Sequence, residues 1–99
     1  MTEWAERLAE IYSVFSNAKR ILIFWVLNGR EMSVNDIAEH LNSSVQNTSQ
    51  HLRLMKSKRI LSTRRDGQMI YYSISDNDVA EYCHRLHQEY LRRDLQIFT

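Results

Sequence analysis

The sequence predicts a mainly α domain with one small β-hairpin, in the order α-α-α-α-β-β-α. Three observations predict it. Apolar residues recur at helical spacing through most of the 99 residues. Three boxes punctuate them as helix starts: Ser33-x-x-Asp36, Ser43-x-x-Gln46 and Ser75-x-x-Asp78. Only between 60 and 75 does the period become that of strands, on either side of Asp66-Gly67. With no proline and two glycines the chain has little room for long loops, and its length suits a single domain, 1–99, with a modest core.

The first helix, from Thr2 to Phe15, carries an apolar stripe of Trp4, Leu8, Ile11, Tyr12 and Phe15. Ser16 or Asn17 caps the second, which runs to about Asn28 and stops at Gly29. Ile21 to Leu27 is apolar all round, so this helix is expected to be buried on most sides. Leu22 and Trp25 share a face apart from Ile21, Phe24 and Leu27. They are expected to pack on the first or last helix, with a small apolar pocket as the alternative. The third helix spans Val34 to Leu41 and buries Ile37, Ala38 and Leu41. Asn42-Ser43 leaves only a tight turn before the fourth, which covers Ser44 to Arg59. Two short helices joined in this way form a helix-turn-helix, whose second helix enters the DNA major groove.

The fourth helix has two unlike sides. Thr48, Leu52 and Met55 form the inner one; Gln46, Asn47, Gln50, Arg53 and Lys56 form the outer. Amides bond adenine bidentately in the major groove, and cations neutralise phosphate. Such a face is also what plain solvation produces, so its surroundings decide. From 44 to 75 there are six cations, Arg53, Lys56, Lys58, Arg59, Arg64 and Arg65, against Asp66 alone. Residues 1–43 and 76–99 each carry a net charge of −2. A basic island in an acidic frame is the footprint of a nucleic-acid surface.

After that helix, 61–65 and 68–74 flank Asp66-Gly67 as a hairpin with both turn residues at positive φ. Arg64, Arg65 and Gln68 stand at its tip. A basic hairpin behind a recognition helix is a wing, able to lie along the backbone or place an arginine in the minor groove. The fold is therefore a winged helix-turn-helix. The last helix carries Val79, Tyr82, Cys83, Leu86 and Tyr90. With Trp4, Leu8, Ile11, Tyr12 and Phe15 of the first helix they make the expected dimer interface, since interfaces favour aromatics.

From about Val14 to Leu86 the chain resembles the ArsR/SmtB family of winged helix-turn-helix repressors. The resemblance lies in Asn17-x-x-Arg20-Ile21-x-Ile23, Asp36-Ile37-Ala38-x-x-Leu41, Ser44-x4-Ser49-x-His51-Leu52-x-x-Met55 and Arg64-Arg65-Asp66-Gly67-Gln68-x2-Tyr71-Tyr72-Ser73-Ile74. It implies a homodimer on a two-fold symmetric DNA operator, with repression relieved by an effector. Ser44, Ser49 and His51 join the DNA-binding residues through this pattern, His51 meeting a phosphate. The expected partners are double-stranded DNA and a second copy. A winged-helix module for protein interaction, without DNA binding, is the alternative.

Departures from the pattern bear on the effector, which stays unidentified. Metal-sensing members resembling this chain carry Cys-Val-Cys at the start of the third helix; here Ser33 and Asn35 stand in those places. Neutral oxygen and amide groups are poor ligands for soft metals. The family's zinc site on the last helix falls on Asp76, Asp78, Glu89 and Arg92, and an arginine cannot ligate. What remains is Cys83-His84-x-x-His87, either a weak zinc or copper candidate or ordinary packing. No metal and no cofactor are expected. The residues form no catalytic constellation, and His51 has no suggested group to orient it as a base. The longest apolar run, Ile21 to Leu27, is too short for a bilayer. A single cysteine excludes an intrachain disulfide and fits the cytoplasm.

Overall fold

The computed structural model describes residues 2–98, with side chains through Tyr90 and that of Arg92. Five helices are present: α1 Glu3–Val14, α2 Ala18–Val26, α3 Val34–His40, α4 Val45–Ser57 and α5 Asp78–Phe98. Three strands accompany them: β1 Met32–Ser33, β2 Leu61–Asp66 and β3 Met69–Ile74. The order is thus α-α-β-α-α-β-β-α. The hairpin becomes a three-stranded antiparallel sheet, β1-β3-β2, with Met32 opposite Tyr72 and Ser33 opposite Tyr71. Two residues are too few to show any period, so sequence pattern had no means of marking β1.

Caps set the helix boundaries. Asn17 accepts from the Lys19 and Arg20 amides, and Ser33 from that of Asp36, as expected. At α4 the cap is Ser44, accepting from the Asn47 amide at 3.0 Å, and not Ser43. Ser43 instead closes α3: its amide reaches the Ala38 carbonyl while Asn42, at φ +50°, bonds back to Glu39. That pairing is a Schellman stop. The end of α4 repeats it, Ile60 bonding Met55 and Arg59 bonding Lys56, with Arg59 at φ +65°. At α5 the cap is Asn77 and not Ser75: Asn77 Oδ1 accepts from the Ala80 amide at 2.8 Å, and its Nδ2 donates to the Arg59 carbonyl at 2.9 Å. One amide therefore joins the start of α5 to the end of α4. Ser75 is engaged with Ser62 of β2.

The wing turn also differs. Asp66 pairs with Met69, so the central residues are Gly67-Gln68, with positive φ at Gly67 alone. The register that sets Leu61 beside Ile74 moves the turn one residue past Asp66-Gly67.

Ile23, Leu27, Ile37, Leu52, Met55, Ile60 and Val14 form the centre of the core, joined by Thr48 and Cys83. Burying such aliphatic side chains contributes about 1.5–3 kcal/mol each before the entropy of ordering is subtracted. Ile11 and Cys83 belong to this core, which corrects their expected place at a dimer surface. Phe15 packs edge-on against Phe24 at 5.5 Å, and Val79 also lies against the core. Leu22 and Trp25 remain exposed, contrary to the expectation that α1 or α5 would cover them.

Candidate nucleic-acid interface

Helical spacing turns Thr48, Leu52 and Met55 into the core and leaves Gln46, Asn47, Gln50, Arg53 and Lys56 exposed along the opposite side of α4. Ser44 is exposed too, although its hydroxyl is used as the cap. Ser49 and His51 are half-buried at the edge of that face. Val45, at the first helical position, is an exposed apolar residue between the cap and the amides. Sequence reading gave it no role, because a lone valine after a cap carries no periodic signal.

The wing adds Arg64, Arg65 and Gln68, all exposed. Arg64 is already engaged. Its Nη2 and Nε meet the Glu31 carboxylate at 2.5 and 3.1 Å, and its guanidinium lies 4.9 Å from the centre of the Tyr71 ring. That fork holds the Glu31 carboxyl below its usual range. Glu31 precedes β1, and only the unforeseen pairing of β1 with β3 brings it near Arg64. Of the other island cations, Lys58 lies 3.9 Å from Glu10 of α1. Arg53, Lys56, Arg59 and Arg65 make no ion pair among the described residues. They are the charge available to a polyanion.

His51 sits in an electropositive surrounding. Its Nδ1 lies 3.3 Å from Arg20 Nη1. Burial of the ring, then the charges of Arg20 and Lys19, pull its pKa below the ordinary imidazole value. An imidazolium phosphate contact is thereby disfavoured in the free protein.

The last-helix residues divide differently from the expectation. Cys83 is wholly buried, and burial pushes its thiol up to about 11. Its sulfur is closed to a partner chain, which removes a cross-dimer disulfide. His87 stacks edge-on against Phe15 at 4.5 Å and also meets Phe24. Its Nδ1 is buried without a hydrogen bond of ordinary geometry, and burial lowers its pKa. Cys83, His84 and His87 do not assemble: no group of three or more metal-binding side chains occurs among the described residues. Ser33 is consumed as the α3 cap, and Arg92 donates to Glu89 at 3.0 Å. Exposed large apolar side chains do remain along α1 and α5: Trp4, Tyr12, Tyr82, Leu86 and Tyr90. The Tyr12 phenol beside Tyr82 pushes the latter's pKa up. Leu8 is half-buried on the same helix.

A helix-turn-helix with an exposed amide face, followed by a basic three-stranded wing, defines a winged helix-turn-helix protein. Residues 17–63 match the family described as bacterial regulatory protein, arsR family. The chain is 35% identical over 74 residues to the HTH-type transcriptional regulator KmtR of Mycobacterium tuberculosis, covering 75% of this chain and 57% of KmtR. It is 38% identical over 65 residues to the transcriptional repressor SdpR of Bacillus subtilis, covering 66% of this chain and 72% of SdpR. Among solved structures it resembles the homodimeric winged helix-turn-helix DNA-binding domain of a possible ArsR-family regulator from Mycobacterium bovis. That likeness has a TM-score of 0.82 and 26% identity, over 96% of this chain and 87% of the other. The chain belongs to the ArsR family of bacterial regulatory proteins. No helix among the described residues is long and apolar enough to cross a membrane.

Proposed function

We propose that the protein is a sequence-specific transcriptional regulator, a repressor in mode, that binds a palindromic operator in double-stranded DNA as a homodimer in the cytoplasm. The observation that carries the reading is the exposed amide face of α4, with the uncommitted cations Arg53 and Lys56 on the same helix and Arg65 on the wing that follows it. In this reading Gln46, Asn47 and Gln50 reach base edges. Ser44, Ser49, His51, Arg53, Lys56 and the wing residues Arg64, Arg65 and Gln68 meet the backbone or minor groove. The homodimeric state of the Mycobacterium bovis domain supports two-fold pairing through Trp4, Leu8, Tyr12, Tyr82, Leu86 and Tyr90, with Phe15 and Val79 behind them. The protein acts as a binding module without catalysis.

Selection of bound sequences from a random DNA pool tests the reading, together with light scattering of the free protein. A palindromic consensus and a dimer are expected. An unenriched pool, with the protein still folded, would reject DNA recognition and return the protein-interaction alternative. A monomer at micromolar concentration would reject the pairing.

A further inference from the structure

Arg20 of α2 bridges three elements. Its Nε donates to the Val14 carbonyl at 2.6 Å and its Nη2 to the Ser13 carbonyl at 3.3 Å. Both carbonyls lie in the last turn of α1, and that of Ser13 also accepts from the Ser16 amide and hydroxyl. The remaining Nη1 faces His51 Nδ1 on α4 at 3.3 Å. A guanidinium has donors only and keeps its charge in proteins. Nδ1 must therefore accept, and the one proton of the neutral ring sits on Nε2. The charged groups facing the ring are Arg20 and Lys19, both cationic, and both oppose a second proton. Nε2 has no hydrogen-bond partner among the described residues.

We propose that Arg20 is a positioning residue for the DNA backbone: it holds His51 as the neutral Nε2–H tautomer, a fixed donor to one phosphate, and clamps that donor to the end of α1. The proposal rests on the reading of α4 as a DNA surface. A flexible cation neutralises phosphate from many positions. A neutral N–H on a clamped ring donates from one, so it supplies register and not charge. Such a contact releases no counterion, and its loss leaves the salt dependence of binding unchanged.

The test has two arms. In the free protein, long-range proton–nitrogen NMR at pH 7 is expected to show His51 with Nδ1 bare and Nε2 protonated. Arg20→Met is expected to return a tautomer mixture with a raised pKa, and operator affinity that increases from pH 8 to pH 6, where wild type is flat. An imidazolium or an Nδ1–H tautomer in wild type would overturn the proposal even if Arg20→Met failed to fold. On the operator, His51→Ala is expected to bind about tenfold more weakly, equivalent to about 1.4 kcal/mol, with an unchanged salt slope. His51→Gln, which keeps a neutral donor, is expected to recover most of the loss. A slope reduced by about one would show a charged contact and overturn the proposal. If the selected pool showed no binding at all, the phosphate role would fall with the DNA reading. The NMR arm would then still report on the clamp alone.

Discussion

Thr48 lies wholly inside the core, and its hydroxyl has no hydrogen-bond partner among the described residues. A buried polar group without a partner costs about 1–3 kcal/mol. Thr48→Val keeps the shape and removes the hydroxyl, so it is expected to raise unfolding free energy by about 1 kcal/mol; a urea titration checks it. On the outer side of the same helix, Gln50 and Arg53 are both exposed, yet their chemistry differs. Gln50→Ala is expected to relax preference at one base pair by about 1–3 kcal/mol. Arg65→Ala on the wing is expected to weaken all sequences alike and lower the salt slope by about one. Affinities measured across a panel of operator variants at several salt concentrations distinguish the two. An unchanged consensus for Gln50→Ala would remove the base-reading role.

At the scale of elements, the short strand β1 changes how the wing works. By placing Glu31 against Arg64 it ties down one of the two wing arginines. Glu31→Gln is expected to free Arg64, tightening DNA binding at low salt and steepening the salt slope, as read by fluorescence anisotropy. The two faces of α4 were legible in the sequence because burial along a helix is a one-dimensional pattern. Ser33 and Asn17 were legible as caps for a similar reason: each bonds to an amide two or three residues away. Asn77 was not, because what selects it over Ser75 is the Arg59 carbonyl, eighteen residues back. Glu31 and Arg20 escaped the reading in the same manner, their partners lying across the fold. The turn register was misplaced by one residue because Asp-Gly and Gly-Gln are both acceptable turns, and strand pairing chooses between them.

For the whole molecule, the division of α1 and α5 into core and surface underlies the proposed dimer. Ile11, Cys83 and His87 support the protomer, while Tyr12, Tyr82, Leu86 and Tyr90 are left exposed on the surface proposed for a second copy. Two histidines, His51 and His87, have lowered pKa values, with burial the largest cause in each. Unfolded, they bind protons near the ordinary value of about 6.5. Between that value and the lower folded ones, the unfolded chain holds more protons, so stability rises with pH there. Their contribution is full above about pH 6.5 and is lost as pH falls through the folded values. Melting temperature is expected to drop from pH 7.5 to pH 5, and to drop less in His87→Leu. The Glu31 carboxylate, held low by Arg64, contributes in full above about pH 4.5 and loses its contribution only as pH falls below that, which separates it from the histidines.

The strand order β1-β3-β2 leaves β2 with no strand on its outer side among the described residues. An open edge of this kind is a template for another chain's backbone, and proteins commonly guard it with charge. Here Arg64, Arg65 and Asp66 stand on that strand, so the two arginines proposed to meet DNA are also placed to guard the edge. The two duties can be separated. Replacing Arg64 and Arg65 together by valine is expected to abolish operator binding and cause aggregation on warming, followed by light scattering. Replacing both by glutamate is expected to abolish binding equally while leaving the protein dispersed, because repulsion of either sign protects an edge. Equal aggregation in both variants would show that arginine guards the strand through something other than charge.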